Sequence, residues 1–395
     1  MWELHVCRHC DAALVFRGRS GQIAVMSLRL ATFNVENLMH RFDFSGYRND
    51  LWKDRTLALY EIKTEADYRQ LEQARAIAHT DDTRQLTALA IAATRADVIC
   101  LQEVDNIEAL KAFEYGYLFK MIGEGYRSKY ASTGNDSRGI DVAVMMRPET
   151  AHGQPIEFVR MTSHAHVTFD EFELYQPEME EFGIRPDDRI FRRDCLELDV
   201  RIGGKPFTIY GVHLKSMGSP RNGLDGRAAT MPVRVAEARA VRRIIEDRFG
   251  KDHAGSKRWA ICGDMNDYAE RVVVGGDAFS GYTFDPVTEA QSSLHVFTAG
   301  GFAVNAVERR PALDRWTLYH TRGPQERHLC QLDYVLLSPS LAERNAAAMP
   351  DIIRNGQPWR TPFPPGQEVE RFPRAGWDRP KASDHCPVAI TLDIA

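Results

Sequence analysis

Short apolar runs that end on a polar residue recur along the chain. Four of these runs lead forward into an amide, a carboxylate or an imidazole. Their length, their valine and isoleucine content and the glycine or asparagine beside them are typical of β-strands. The runs and their polar ends are 28–33 before Asn34, 98–102 before Glu103, 207–212 before His213 and 259–263 before Asp264.

Three further apolar runs begin directly after a polar group, which is Asp141, Asp333 or the pair Asp384 and His385. If these strands run antiparallel to the first four, the ends of one set and the starts of the other lie along one rim. For any single residue, solvent exposure explains a polar strand end equally well. For the whole set this explanation is weak, because carboxylates, amides and imidazoles recur. We therefore predict one cleft at this rim.

The intervals between the runs carry helical periodicity. Asp81, Asp82 and Thr83 offer an N-cap for a helix over 85–95. A second helix is predicted to begin at Pro232, because proline is favourable in a first helical turn. Its arginines, Arg234 among them, are predicted to form a solvated face. Strands alternating with helices indicate α/β layers with mixed sheets, and 149–190 and 343–381 are predicted to be long loops near the rim.

The composition of the chain limits the classes of protein to which it can belong. The chain has 395 residues, of which 44% are hydrophobic and 27% are charged, the balance of a soluble globular protein. With 50 basic and 55 acidic residues its net charge is -5, which excludes a wholly basic nucleic-acid coat but allows a local basic groove. No apolar run approaches the roughly 20 residues of a membrane span, and the N-terminal stretch is unlike a secretory signal. We expect a cytoplasmic protein.

The cysteines fall into two groups. Five of the seven lie within or beside apolar runs and are predicted to be buried thiols rather than disulfides; they are Cys100, Cys195, Cys262, Cys330 and Cys386. Cys7 and Cys10 form half of a zinc knuckle, but no second ligand pair follows, so a closed zinc site is disfavoured. Met26 directly precedes the first strand. Residues 1–25 are therefore predicted to be an extension that is disordered or foreign to the native chain.

The polar strand ends favour hydrolysis of a phosphate ester. The sequence has no GxxxxGK[ST] phosphate loop, no HExxH and no GxSxG motif. Its carboxylates and amides suit Mg²⁺ or Mn²⁺ better than zinc or copper. An extended backbone would place Asp264 and Asn266 on one face, where one can activate water and the other can hold the water or the phosphate. A carboxylate, with Asp333 as the candidate, could orient His385.

Six segments together resemble the ordered motifs of the endonuclease/exonuclease/phosphatase superfamily, the metal-dependent phosphohydrolases related to pancreatic deoxyribonuclease. They are Leu30–Asn37, Ile99–Val104, Gly211–Ser216, Gly263–Asp267, Leu332–Leu336 and Ser383–Val388. The resemblance covers about residues 28–395 and implies a four-layered α/β sandwich, in which two mixed, mainly antiparallel β-sheets pack face to face with helices outside. We accordingly predict one catalytic domain over residues 26–395.

The resemblance also implies roles for the matching residues. Glu103 would be the principal metal ligand, with Asn34 and Asp384 beside it. Asp264 would activate the water, and Asn266 would bind the scissile phosphate. The transition state would be stabilised by His213 and by His385, with Asp333 orienting His385. Whether Asp264 or the pair of His385 and Asp333 is the general base stays open, as does the number of metal ions.

Other residues bear on the substrate. Arg138, in a segment resembling bacterial nuclease-like members, is predicted to contact a phosphate, with a surface turn as the alternative. Lys215 follows His213 by two residues and is predicted to face the same phosphate. The leading hypothesis is a Mg²⁺-dependent nuclease acting on DNA or RNA, with Mn²⁺ as a substitute metal. The alternatives are a phosphatase or phosphodiesterase for a small phosphoester and a non-catalytic phosphate binder. We expect a monomer without an obligate protein partner.

Overall fold

The predicted apolar runs form central strands of two large sheets. The computed structural model describes residues 26–38, 64, 80–136, 138–218, 224–321 and 326–395. In chain order the strands are β1 (Ser27–Leu38), β2 (Val98–Val104), β3 (Ser128–Ser132), β4 (Asp141–Met146), β5 (Ile156–Ser163), β6 (Cys195–Ile202), β7 (Lys205–His213), β8 (Trp259–Asp264), β9 (Glu270–Asp277), β10 (Gly281–Thr288), β11 (Val304–Asn305), β12 (Leu318–Thr321), β13 (Arg327–Cys330), β14 (Asp333–Leu337), β15 (Asp351–Ile352) and β16 (Val388–Asp393). The helices are α1 (Thr80–Thr94), α2 (Ile107–Phe113), α3 (Lys120–Ile122), α4 (Gly226–Phe249), α5 (Leu294–Thr298) and α6 (Pro339–Arg344), with a π-helical segment over Glu114–Phe119.

The two large sheets have six strands each. The first has the order β15-β16-β1-β2-β4-β3 and the second the order β11-β14-β8-β7-β6-β5. One central pair in each sheet is parallel, β1 with β2 and β7 with β8, and the neighbouring pairs are antiparallel. Both sheets are therefore mixed and mainly antiparallel. All seven predicted runs lie on strands of these two sheets, so that prediction is confirmed.

The hydrophobic core joins the sheets into layers. Leu30 and Val144 of the first sheet pack in one cluster with Ile209 and Val335 of the second, which places the two sheets face to face. The outer face of the first sheet packs against α1 and α2, and the outer face of the second packs against α4 and α5. Burial of these apolar surfaces is the main stabilising contribution to such a fold. The four-layered α/β sandwich is confirmed.

Two regions differ from the prediction. A third, four-stranded sheet with the order β10-β9-β13-β12 was not predicted from the sequence. The predicted loop over 149–190 contains β5, which adds an edge strand to the second sheet by pairing with β6. Half of the β5 residues are exposed, so the segment lacks the continuous apolar run of the central strands.

Both predicted helices begin earlier than expected. Helix α1 starts at Thr80, so Asp81 and Asp82 lie in its first turn, where the helix dipole favours carboxylates. Helix α4 starts at Gly226, and Pro232 lies inside it. Asp225 is the N-cap, because its side chain accepts a hydrogen bond from the backbone N–H of Ala228 at 2.8 Å.

The first turns of α4 are held by contacts with the segment that follows β7. A Cβ atom on Gly226 would lie 2.1 Å from the carbonyl oxygen of Gly218, so this close approach requires glycine. The hydroxyl of Thr230 donates to the carbonyl oxygen of Met217 at 3.0 Å. These contacts explain why the helix extends past the proline toward its N-terminus, which a local pattern does not reveal.

The five cysteines predicted as buried thiols are free and buried, as expected. Cys7 and Cys10 lie outside the described residues, and so does the whole of 1–25, so the predictions for them stay predictions. In the part of the chain that the structure describes, no helix is long and apolar enough to cross a membrane.

Candidate active site

The polar strand ends meet at one rim, as the antiparallel arrangement predicted. On the second sheet, His213 pairs in register with Asp264, and Asp264 pairs with Asp333. On the first sheet, Asn34 and Glu103 lie near the C-terminal ends of the parallel strands β1 and β2, and Asp384 and His385 precede β16. A cavity of about 210 Å³ lies between these ends, lined by Asn34, Glu103, Arg138, His213, Ser216, Met217, Asp264, Asn266, Leu318, His320, His328, Cys330, Leu332, Asp384 and His385.

Asp264 lies at the centre of the hydrogen-bonded groups. Its Oδ2 accepts from the Asn34 amide at 3.0 Å and from the Asn266 amide at 3.1 Å, and its Oδ1 accepts from the Asn266 backbone N–H at 2.8 Å. The Nε2 atoms of His213 and His385 lie 3.4 and 3.8 Å from the same Oδ2. Burial raises the pKa of Asp264 to about 7. The carboxylate is therefore oriented and poorly hydrated.

The two imidazoles differ in their protonation. His385 Nδ1 lies 2.8 Å from Asp333 Oδ2, so Asp333 orients this ring. Burial alone would lower the pKa of His385, but the carboxylates of Asp333 and Asp264 outweigh it and raise the pKa well above its usual value. Burial, helped by Arg193, lowers the pKa of His213 well below its usual value. At neutral pH the site thus holds one charged and one neutral imidazole.

The carboxylates from the first sheet are supported by backbone N–H groups. The backbone N–H of Asn37 donates to Glu103 Oε2 at 3.0 Å, and that of Asp384 donates to Glu36 Oε2 at 3.0 Å. Burial raises the pKa of Glu103. Although burial opposes it, His385 and Lys381 hold the pKa of Asp384 below its usual value.

Backbone strain is concentrated at this rim. Four of the seven described non-glycine residues with positive φ lie here: Glu36 at 48°, Asn37 at 62°, Glu103 at 66° and Asn266 at 48°. Such conformations cost free energy and persist where surrounding contacts enforce them, which is common at functional sites. The first three lie in the last residues of β1 and β2, where the strand register shifts, and Asn266 lies two residues after β8.

A sequence model of the Endonuclease/Exonuclease/phosphatase family matches residues 31–385, and the six motifs that meet at the rim lie within that range except for Leu30 of the first and the last residues of the final one. The chain belongs to this family. It is accordingly a hydrolase of phosphoester bonds. No curated protein sequence matches the chain.

Solved structures similar to the chain come from several organisms. An endonuclease/exonuclease/phosphatase family protein from Bacteroides thetaiotaomicron is 15% identical, with 93% of this chain and 97% of that one covered at a TM-score of 0.49. A mannosyl-6-phosphatase from the same bacterium is 14% identical, with coverages of 92% and 99% and a TM-score of 0.48. Truncated TDP2 from Caenorhabditis elegans is 13% identical, with coverages of 93% and 98% and a TM-score of 0.47.

The residues predicted as metal ligands fit a hard divalent cation, on which members of this family generally depend. Three carboxylates line the cavity, and the one lysine or arginine among its described lining residues is Arg138. Within the described residues, no group of three or more His, Cys, Asp or Glu side chains could hold a metal ion. The predicted ligands Glu103, Asp384 and Asn34 instead combine two carboxylates with one amide. This is the composition that Mg²⁺ accepts when water and substrate oxygens complete its shell.

The two predicted phosphate contacts lie in different places. Arg138 lines the cavity, where its guanidinium pairs with Asp136 at 3.1 Å. Lys215 is not among the lining residues, and its ammonium group donates to the carbonyl oxygen of Ser216 at 3.2 Å. Its neighbour Ser216 lines the cavity instead. Phosphate contact by either residue stays a prediction.

Sequence reasoning missed several residues around the cavity. Glu36 pairs with Arg379 at 2.6 Å and with Lys381 at 3.2 Å, and it lies inside a quoted motif, so its position carried a signal. Buried Arg193 binds Asp136 at 2.9 Å and the Leu214 carbonyl oxygen at 3.0 Å, and no motif marks it. His320 and His328 also line the cavity.

The solvated face predicted for the second helix is wrong at Arg234. This side chain is fully buried, lies 3.8 Å from the carboxylate of Asp267 and donates to the Lys215 carbonyl oxygen. It therefore ties α4 to the segments that follow β7 and β8, both of which carry site residues.

Proposed function

We propose that the protein is a divalent-metal-dependent phosphodiesterase that cleaves nucleic acid by in-line attack of water. The observation that carries this proposal is the meeting of Asp264, His213 and the His385–Asp333 pair with three oxygen ligands in one cavity. Each group matches a need of phosphoryl transfer: a proton acceptor, donors for developing charge and a place for a cation.

The charge of the cavity favours a diester over a terminal monoester. A phosphodiester carries one negative charge, whereas a monoester approaches two near neutral pH. Three carboxylates line the cavity together with two positive groups, the Arg138 guanidinium and the charged His385 imidazole, so the lining is net negative before a cation binds. A dianionic ester would meet more repulsion there than a monoanionic one. Nucleic acid is the most abundant phosphodiester polymer that such a site can meet in a cell.

In the proposed mechanism, Asp264 accepts the proton of the attacking water, since the amides of Asn34 and Asn266 orient its carboxylate at the cavity. Asn266 holds the scissile phosphate or the water. His385, fixed by Asp333, donates to a phosphate oxygen, and neutral His213 donates a hydrogen bond to the developing charge. As the water oxygen bonds to phosphorus, the opposite P–O ester bond breaks, and the leaving oxygen takes a proton from solvent. A divalent cation held by Glu103, Asp384 and Asn34 would supply neutralisation of the non-bridging oxygens. We expect Mg²⁺ in this role, with Mn²⁺ as a substitute.

A substrate panel tests the proposal. The purified protein is incubated with plasmid, single-stranded DNA, RNA, bis(4-nitrophenyl) phosphate and 4-nitrophenyl phosphate, with Mg²⁺, Mn²⁺ or EDTA. We expect cleavage of the polymers and of the diester, with the monoester hydrolysed at least about 10-fold more slowly and EDTA abolishing each activity. Activity confined to monoesters would support the small-phosphoester alternative. Phosphate binding without turnover of any substrate would support a non-catalytic protein.

A further inference from the structure

The hairpin of β12 and β13 brings two imidazoles to the cavity. His320 and His328 are opposite each other in the antiparallel register, and their ring centroids lie 4.8 Å apart at an interplanar angle of 31°. The edge of Tyr268 contacts His328 with centroids 5.4 Å apart. His328 is buried, whereas the His320 side chain is 25% exposed. The two rings therefore form an aromatic surface, which we call the histidine wall.

The histidine wall is fixed relative to the reacting groups. Leu318, two residues before His320, forms an isolated β-bridge with His385. The hydroxyl oxygen of Thr317 accepts from the backbone N–H groups of Leu332 at 3.0 Å and Asp333 at 3.1 Å. The backbone N–H of Cys386 donates to the Thr317 carbonyl oxygen at 2.7 Å. A substrate group on the wall would thus be held at a set position beside His385.

The chemistry of this side of the cavity suits an uncharged ring. The other lining residues from β12, β13 and the adjoining segments include Leu318, Leu332 and Met217, and no described lysine or arginine lies among them. A second phosphate would require cationic partners. The imidazole face of His320 beside aliphatic side chains can instead stack on a planar base, while its Nε2 lies 3.6 Å from the Glu326 carboxylate.

We propose that His320 and His328 bind a nucleoside that is esterified to the scissile phosphate, and so determine specificity for nucleic acid over other diesters. This inference rests on the proposed function and names the part of the substrate that the cavity recognises. At about 210 Å³ the cavity is smaller than a typical ligand pocket, so it holds the phosphate with one neighbouring group rather than a longer segment.

The test compares diesters that share a leaving group. Thymidine 5′-(4-nitrophenyl) phosphate and thymidine 3′-(4-nitrophenyl) phosphate carry the nucleoside, and methyl 4-nitrophenyl phosphate lacks it. We expect the wild-type kcat/KM for at least one thymidine ester to exceed that for the methyl ester by roughly 5- to 100-fold, the range that base stacking supplies. His320→Ala and His328→Ala should each reduce this ratio, mainly through KM. His152→Ala, which removes an exposed imidazole, should retain it.

The outcomes separate the two proposals. If wild-type protein hydrolyses all three esters without preference, or if the variants lower all rates in parallel, the nucleoside site is wrong while the phosphodiesterase stands. If no diester is hydrolysed with Mg²⁺ or Mn²⁺, both proposals are wrong. Thermal unfolding of each variant checks the fold, and if buried His328→Ala fails to fold, the partly exposed His320→Ala decides the question.

Discussion

The two large sheets have the same topology but supply different chemistry to one cavity. In each sheet a central parallel pair is flanked by antiparallel strands, so β1 corresponds to β8, β2 to β7 and β16 to β14. The corresponding strand ends carry Asn34 and Asp264, Glu103 and His213, and Asp384 and Asp333. A repeated topology thus brings three polar groups from each side to the same rim.

The polar groups from the two sheets differ in their burial. The side chains of His213 and Asp264 are each 1% exposed and that of Asp333 is fully buried, so these groups are shielded from water. Glu103 and Asp384 remain partly exposed, whereas Asn34 is buried. This difference in burial and neighbouring charge is what the proposed division into proton-transfer groups on the second sheet and cation ligands on the first rests on.

The largest effect is expected for Asp264→Asn on the second sheet. Loss of the proton acceptor should lower kcat for a phosphodiester by about 10²- to 10⁴-fold at saturating metal, with the fold retained. Steady-state kinetics and a thermal melt measure the two quantities. The exposed Asp252→Asn is a matched control that should keep the wild-type rate. A wild-type kcat in Asp264→Asn would exclude it as the base and favour the His385–Asp333 pair.

His213→Ala comes next. It removes a buried donor 3.4 Å from Asp264, so we expect kcat to fall by about 10²- to 10³-fold without a change in the metal concentration for half-maximal rate. A metal titration at fixed substrate measures both values, with the exposed His253→Ala as control. A shift in the metal requirement alone would place His213 among the cation ligands and contradict the division between the sheets.

Glu103→Gln should give the opposite signature. Loss of a carboxylate ligand should raise the metal concentration for half-maximal rate by roughly 10-fold or more, and excess metal should recover most of the rate. The same titration measures this, and exposed Glu178→Gln should behave as wild type. If added metal restores nothing, Glu103 acts in the chemical step rather than in holding the cation.

The smallest effect concerns stability at the start of β4. Burial raises the pKa of Asp141 to about 6. The folded state then binds more protons than the unfolded state between about pH 4 and pH 6, so stability falls as pH rises through this window. Asp141→Asn, which keeps an acceptor for the Gly134 N–H, should stabilise the protein by ~1 kcal/mol at pH 7.5, after allowance for solvent screening, and by less below pH 4. Urea unfolding at both pH values checks this, and a stability loss at pH 7.5 would contradict it.

The site was largely predictable because its residues lie at the ends of apolar strands. The runs before Asn34, Glu103, His213 and Asp264 identify strands locally, and an antiparallel arrangement of the others places the polar ends at one rim. The register between β7, β8 and β14 does not follow from the hydrophobic pattern, because these strands are buried on both faces. Glu36 had a signal within its motif, but its role in supporting Asp384 depends on a segment nearly 350 residues away in sequence, as the Asp384–Glu36 hydrogen bond shows.

The remaining features depend on contacts that no local pattern encodes. Strand β10 is almost entirely exposed, so it lacks the alternation that marks a half-buried strand. Arg234 has the spacing of a solvated helix face, yet its side chain is buried, where it contacts Asp267 and the Lys215 carbonyl oxygen. In the sequence, Gly323 and Pro324 lie between His320 and His328 and are typical of a turn, which indicates a hairpin but not that the two imidazoles line the cavity.

His385 connects the three sheets. Its backbone bridges to β12 of the third sheet, its side chain contacts Asp333 of the second, and three residues later the chain enters β16 of the first. Local opening of the small sheet would therefore remove the backbone support of His385, and leave its imidazole held by Asp333 alone, while both large sheets stay folded. Heating should inactivate the enzyme below its global melting temperature, and hydrogen exchange in β12 should accelerate together with that inactivation.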